Sequence, residues 1–446
     1  MLIRKLLWPL AVGAIVILSL AYAGTAGARI RQTNSQIRQT SCFWTDVGAS
    51  KFGIGVNYAF PDSGAVYWTA QITMPPGSYI VFKGRFTHAR YQSLNTYDVT
   101  THAPVDGLDD VDTAPDPGAV NPFRVGADRD ATHRSYTVRM YDTPVPASGR
   151  PPNALYAGVA GQTGQDVVYR VYVPDTFTRA GLTGGVGLPT PVLHLANGSV
   201  LSGAAACTAL QAKRGQLPLT SLPRAAYQAL RDQPGKPLNW PAAPTPIFRA
   251  YYNTAFSIAC GYQGQCSGDP ARTGGQYSNV DNQYMSAFVS RGFRAGPVLV
   301  LHGKLPTTPR TGPDVRRTGT GQLRYWSICQ NESLYTTIGS GCVYDSEISL
   351  NRDREYTIVT SLRSQRPANA VAHCGVAWIP WPSAGDGDGH RKDGLLLVRN
   401  MLPAQSFHHA IQDTTTPGDE RAVLGPYYPV GHYTTAAAFE RRGCHR

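Results

Sequence analysis

Two short blocks carry residue types that could hold a ligand: Arg90-Tyr91-Gln92-Ser93-Leu94 and Arg324-Tyr325-Trp326-Ser327-Ile328. Arginine offers a planar fork of donors for a carboxylate or phosphate. Tyrosine and tryptophan offer broad apolar faces with a polar edge, which suits a sugar or a lipid. With Trp378 and Trp381 added, the candidate ligand residues are Arg90, Tyr91, Arg324, Tyr325, Trp326, Trp378 and Trp381. Tyr251-Tyr252 and Tyr427-Tyr428 are further aromatic pairs of the same kind. The structural alternative pairs each arginine with a carboxylate such as Asp98, or lays its stem over a ring, and packs the aromatics into a core. Ser93 and Ser327 stand at equivalent places and read as nucleophiles, ligand hydroxyls or plain strand serines.

Carboxylates cluster once: Asp106, Asp109, Asp110, Asp112 and Asp116 fall within eleven residues. Such hard oxygen ligands suit Ca²⁺ if the loop folds back on itself. Asp386-Gly387-Asp388-Gly389-His390 begins like a calcium loop, but Leu397 stands where an EF-hand needs a bidentate Glu. Apart from calcium, no cofactor is implied. A Gly-x-Ser-x-Gly elbow, a phosphate loop and a His-Glu-x-x-His zinc motif are all missing from the sequence. Adjacent side chains diverge, so the His408-His409 doublet is a poor chelator by itself.

The chain reads as exported. Arg4 and Lys5 precede the mostly apolar stretch 6–22, and two small-residue patterns follow, Ala21-Tyr22-Ala23 and Ala26-Gly27-Ala28. This is the layout of a secretory signal over 1–28, with an uncleaved anchor as the alternative. The polar leader 29–41 repeats Ile-Arg-Gln-Thr at 30–33 and 37–40. Eight cysteines remain for an exported chain: Cys42, Cys207, Cys260, Cys266, Cys329, Cys342, Cys374 and Cys444. An even count with no Cys-x-x-Cys favours disulfides over metal ligands or thiolate nucleophiles. The formal net charge is +12, yet no Lys/Arg run exceeds two residues, so no specific nucleic-acid site is indicated.

The elements that must position these residues follow from an internal comparison. Gly77–Phe86 aligns without a gap on Gly296–Leu305, and the two Arg-Tyr-x-Ser blocks come next. Arg134-Ser-Tyr136-Thr-Val138 then matches Arg354-Glu-Tyr356-Thr-Ile358, and Val171–Asp175 is aligned with Ala377–Trp381. The blocks alternate β-branched or aromatic residues with polar ones, as half-buried strands do. With 46 Gly and 34 Pro punctuating short strands, the expected fold is mainly β. It comprises two tandem antiparallel, jelly-roll-like β-sandwich modules, 42–212 and 247–446, the second holding six cysteines. Cys42 and Cys207 would staple the ends of the first. Between them, 213–246 reads as a helix over 223–232, capped by Ser221, and a stiff linker with five prolines over 233–246.

The Arg-Tyr-x-Ser blocks and Gly425-Pro426-Tyr427-Tyr428-Pro429 resemble those of exported actinobacterial proteins of unknown function. The first module is also similar to a bacterial envelope β-sandwich domain with an aromatic-Ser-Leu-x-x-Tyr-Asp element. Gln92-Ser93-Leu94-Asn95-Thr96-Tyr97-Asp98 fills that place, with Gln92 in the aromatic position. The resemblance implies a fold and an exported address, and it transfers no catalytic residue. The expected function is a non-catalytic binding or structural protein of the cell envelope. Its partner would be an envelope glycan, lipid or protein, with membrane contact only through an uncleaved N-terminal segment. The alternatives are a secreted hydrolase with its site in the second module and an interaction subunit of an envelope assembly.

Overall fold

The computed structural model describes residues 41–444 apart from 56, 220 and 221. The expected signal, nearly all of the polar leader and the Ser221 cap lie outside the described residues. The first module contains β1 (Asp46–Gly48), β2 (Ala65–Thr73), β3 (Tyr79–Arg85), β4 (Ala89–Tyr97), β5 (Pro104–Asp109), β6 (Ser135–Tyr141), β7 (Ala154–Tyr156), β8 (Gly164–Pro174), β9 (Thr190–His194) and β10 (Val200–Ser202). They form two sheets, ordered β1-β2-β8-β4-β5 and β10-β9-β3-β6-β7. The second module contains β11 (Arg249–Ala250), β12 (Asn282–Ser290), β13 (Val298–Lys304), β14 (Leu323–Asn331), β15 (Gly339–Tyr344), β16 (Glu355–Ser361), β17 (Val376–Pro380), β18 (Asp393–Pro403) and β19 (Val430–Thr434). Its sheets run β11-β12-β18-β14-β15 and β19-β13-β16-β17. The fold is mainly β, and one strand order occurs twice. Pairing is antiparallel except at one edge of each module, where β6 runs parallel to β7 and β16 to β17.

Three of the four aligned blocks fall on equivalent strands: β3 with β13, β4 with β14, and β6 with β16. A shared contact explains the glycine that recurs in the first block. The ring of Tyr136 lies across Gly84 and that of Tyr356 across Gly303, so an added Cβ would come within 2.3 and 2.6 Å of those side chains. The fourth alignment is corrected. Val171–Pro174 belongs to β8, whose counterpart by strand order is β18, whereas Ala377–Trp381 forms the short edge strand β17 and its end. Apolar pattern alone could not separate two strands that both end in proline.

Each module closes a core between its own sheets. Trp44, Trp68, Phe82, Tyr136 and Tyr169 fill the first, and Leu301, Trp326, Tyr356 and Trp381 the second. The inner strands differ from the half-buried pattern expected of them. All nine residues of β4 are buried, and β8, β14 and β18 are nearly so. The reason is a second packed face. The sheets containing β4 and β14 meet across a seam where Ala65, Tyr91, Tyr172, Tyr325, Tyr344 and Met401 form a cluster of their own.

Four disulfides link Cys42–Cys207, Cys260–Cys266, Cys329–Cys342 and Cys374–Cys444, and the first of them ties the ends of module one. Such bonds persist in oxidising, extracytoplasmic surroundings. No helix among the described residues is long and apolar enough to cross a membrane. The linker helix is Arg224–Arg231, and its side chains dock on module two. Arg224 meets Asp388 at 2.5 Å, Tyr227 donates to Asp386 at 2.7 Å, and Arg231 reaches Asp393 at 2.6 Å.

Candidate functional site

The repeated Arg-Tyr blocks build the seam, and they do so reciprocally. Arg90 of module one pairs with Asp345 and Ser346 of module two. Arg324 of module two pairs with Asp110 of module one at 2.9 Å. Each acceptor also takes a backbone N–H from its own module, Trp326 to Asp345 at 3.0 Å and Gln92 to Asp110 at 2.8 Å. The tyrosines repeat the exchange: Tyr91 donates to Asp281 and Tyr325 to Asp62. Asp98, the carboxylate expected for Arg90, instead accepts the N–H groups of Thr100 and Thr101. Sequence pattern named the arginines but placed the partner within one module, because cross-module contacts leave no local spacing to read.

Beside this seam the two inner sheets part around a cavity of about 270 Å³, near the lower end of the roughly 300–1,000 Å³ usual for small-ligand sites. β1, β2 and β8 wall it on one side, β12 and β18 on the other, and the segments 58–61, 275–279 and 334–337, with Leu217, Leu219 and Leu222, frame it. Its apolar surface includes Val168, Leu217, Ile258, Leu334, Leu395 and Leu397. Its polar surface centres on two equivalent pairs: Tyr67 opposite Arg170 in the β2–β8 register, and Tyr284 opposite Arg399 in the β12–β18 register.

Both arginines are almost fully buried, at 2% and 3% exposure, but their charges are met differently. The Arg399 guanidinium lies 3.5 Å from the Asp62 carboxylate and also contacts the Phe60 carbonyl and the Cys329 sulfur. Arg170 donates to the side-chain oxygen of Asn95 and to the Tyr277 carbonyl. Among the described residues it has no carboxylate within 4.0 Å. Tyr67 is a donor at neutral pH, since burial, with the Asp62 charge adding, pushes its hydroxyl up to about 12. Burial, aided by Asp46 and Asp166, does the same to Tyr58.

The expected ligand residues lie elsewhere. Arg90, Tyr91, Arg324 and Tyr325 are committed to the seam, while Trp326 and Trp381 are core residues. Trp378 is half-buried beneath Arg366 and donates to Ser361. Of the paired tyrosines, Tyr251 does line the cavity, whereas Tyr428 is tied to the Phe248 backbone. The pair Arg170 and Arg399 escaped the sequence reading. The signal that finds it is Arg-x-x-x-Pro, at Arg170–Pro174 and Arg399–Pro403, which the corrected β8–β18 alignment brings together.

The acidic loop is also accounted for. Asp106 forms a two-pronged pair with Arg150, and Asp109 accepts the Asp112 N–H. Asp110 serves Arg324, and no three of Asp106, Asp109, Asp110 and Asp112 bring ligand oxygens within 4.8 Å of one another. Asp386 holds His390 at 2.7 Å, and Asp232 takes the other ring nitrogen at 2.8 Å. Ser93 donates to Asn95 and Ser327 to Asp62. Among the described residues no serine hydroxyl hydrogen-bonds a histidine.

No protein-family model matches this chain, and no curated protein matches it either. Among solved structures it is similar to an uncharacterised protein from Burkholderia cenocepacia, with 13% identity and a TM-score of 0.46, over 96% of this chain and 92% of that one. It is also similar to a Vibrio parahaemolyticus protein, with 11% identity and a TM-score of 0.40, over 90% and 98%. Neither likeness is close enough to carry a function across.

Proposed function

We propose that the chain is an exported, non-catalytic binding protein that holds a small, largely apolar molecule between its two β-sandwiches. The observation that carries this is the cavity itself: leucine and isoleucine walls with tyrosine edges, at the junction of two modules. Clefts between modules are a preferred place for ligand sites, and apolar lining with few polar groups is their usual composition. The lining favours a lipid-like molecule over a glycan, which would need polar partners for each hydroxyl. Export to the envelope accords with four disulfides and with the signal-like N-terminus.

The test is saturable binding of the neutral apolar dye N-phenyl-1-naphthylamine to the full chain, followed by fluorescence. Ile258→Trp and Leu334→Trp, each placed on a cavity wall, should weaken binding at least about tenfold, equivalent to ~1.4 kcal/mol, while the melting temperature stays within a few degrees. Unchanged dye affinity in both variants would rule out this cavity as the binding place.

A further inference from the structure

The cavity's polar groups carry a surplus of donors, and that surplus identifies the ligand's head group. Tyr67 accepts the Asp62 N–H at 3.2 Å, and Tyr284 accepts the Asn279 N–H at 3.1 Å. A phenol that spends its oxygen on a backbone donor still has its own proton to give, and neither hydroxyl has an acceptor among the described residues. On the lining, the side-chain nitrogen of Asn279 is also buried without a partner. The Tyr67, Tyr172 and Tyr284 hydroxyls lie close enough to act electrostatically on both guanidinium groups. Two protons and a guanidinium thus converge on one end of an apolar cavity, and buried donors left unmet are costly.

The different pairing of the two arginines sets the sign of the missing acceptor. Asp62 stands against Arg399, so that half of the site is already neutral. On the equivalent half, Asp281 turns its carboxyl to Tyr91 and acts on Arg170 without forming an ion pair with it. Asp46, also on the lining, accepts the N–H of Val47. Arg170 is thus a buried cation on the cavity wall with no carboxylate in ion-pair contact. Buried charges of this kind are ordinarily paired.

We infer that the ligand is an amphiphilic monoanion, a carboxylic acid with an apolar tail, whose carboxylate seats on Arg170 between the hydroxyls of Tyr67 and Tyr284. The carboxylates of Asp46 and Asp281 nearby repel a phosphate dianion more than a monoanion. The tail would run along Ile258, Leu395 and Leu397. This rests on the binding role proposed above and adds the chemical class of the ligand.

Displacement of N-phenyl-1-naphthylamine from the full chain by decanoate and by decanol, at pH 7.5, tests it. The two competitors share a tail and differ in head group. Wild type should bind decanoate at least about tenfold more tightly than decanol. Arg170→Gln should collapse that preference to about twofold, and Tyr284→Phe should weaken decanoate alone by about three- to tenfold. If Arg170→Gln fails to fold, the wild-type preference and Tyr284→Phe decide the matter. Equal displacement by acid and alcohol would overturn the anion inference while leaving the cavity's role intact. Failure of the dye itself to bind would overturn both.

Discussion

At the scale of single residues, the molecule is held by charges that reach from one module into the other. Arg90 and Asp345 are nearly inaccessible, with side-chain exposures of 2% and 1%. Removing one member of such a pair strands a buried charge, so Arg90→Met should cost about 3–5 kcal/mol in urea unfolding. Adding Asp345→Asn should recover part of that loss, because the asparagine still accepts the Trp326 N–H. Asp281 gives a pH signature. Burial, with the Asp109 charge adding, pushes its carboxyl up to about 7. The folded chain therefore holds a proton that an unfolded aspartate, ionising near 3.8, gives up. Its contribution is complete below that lower value and is lost as pH rises through 7. The melting temperature should thus fall between pH 5 and pH 8, and Asp281→Asn, which mimics the protonated acid, should flatten that slope. An identical slope in the variant would contradict the assignment.

At the scale of elements, much was legible because strand chemistry repeats. Gly84 and Gly303, each crossed by a tyrosine from the neighbouring strand, kept the first block aligned without a gap. Arg90 and Arg324 recur for a fold-specifying reason, and the disulfide Cys42–Cys207 follows from an even cysteine count in module one. Two things were hidden. The parallel edge strands β7 and β17 are short and look like any apolar segment. Arg170 and Arg399 sit mid-strand in β8 and β18, where a charge argues for solvent unless the second packed face is known. Two predictions belong here. Replacing Cys42 and Cys207 by serine opens a closure across 165 residues and should cost about 2–5 kcal/mol. Tyr227→Phe leaves buried Asp386 short of a donor and should cost about 1–3 kcal/mol, with faster proteolytic cleavage between residues 233 and 246.

At the scale of the whole molecule, the seam and the cavity belong to one design. Two sandwiches whose inner sheets share a strand order press those sheets together, lock them through Arg90–Asp345 and Arg324–Asp110, and part around the cavity. A ligand held there contacts both modules, so it should stabilise the entire chain. At a hundred times its dissociation constant the gain is about 2.7 kcal/mol. The most direct test is native mass spectrometry of the full-length protein, exported by its own host and purified without detergent, beside the same sample denatured. The account predicts a mass excess of one acidic amphiphile that disappears on denaturation and is absent from Ile258→Trp. A wild-type chain that arrives bare, and stays bare after incubation with decanoate, would contradict it.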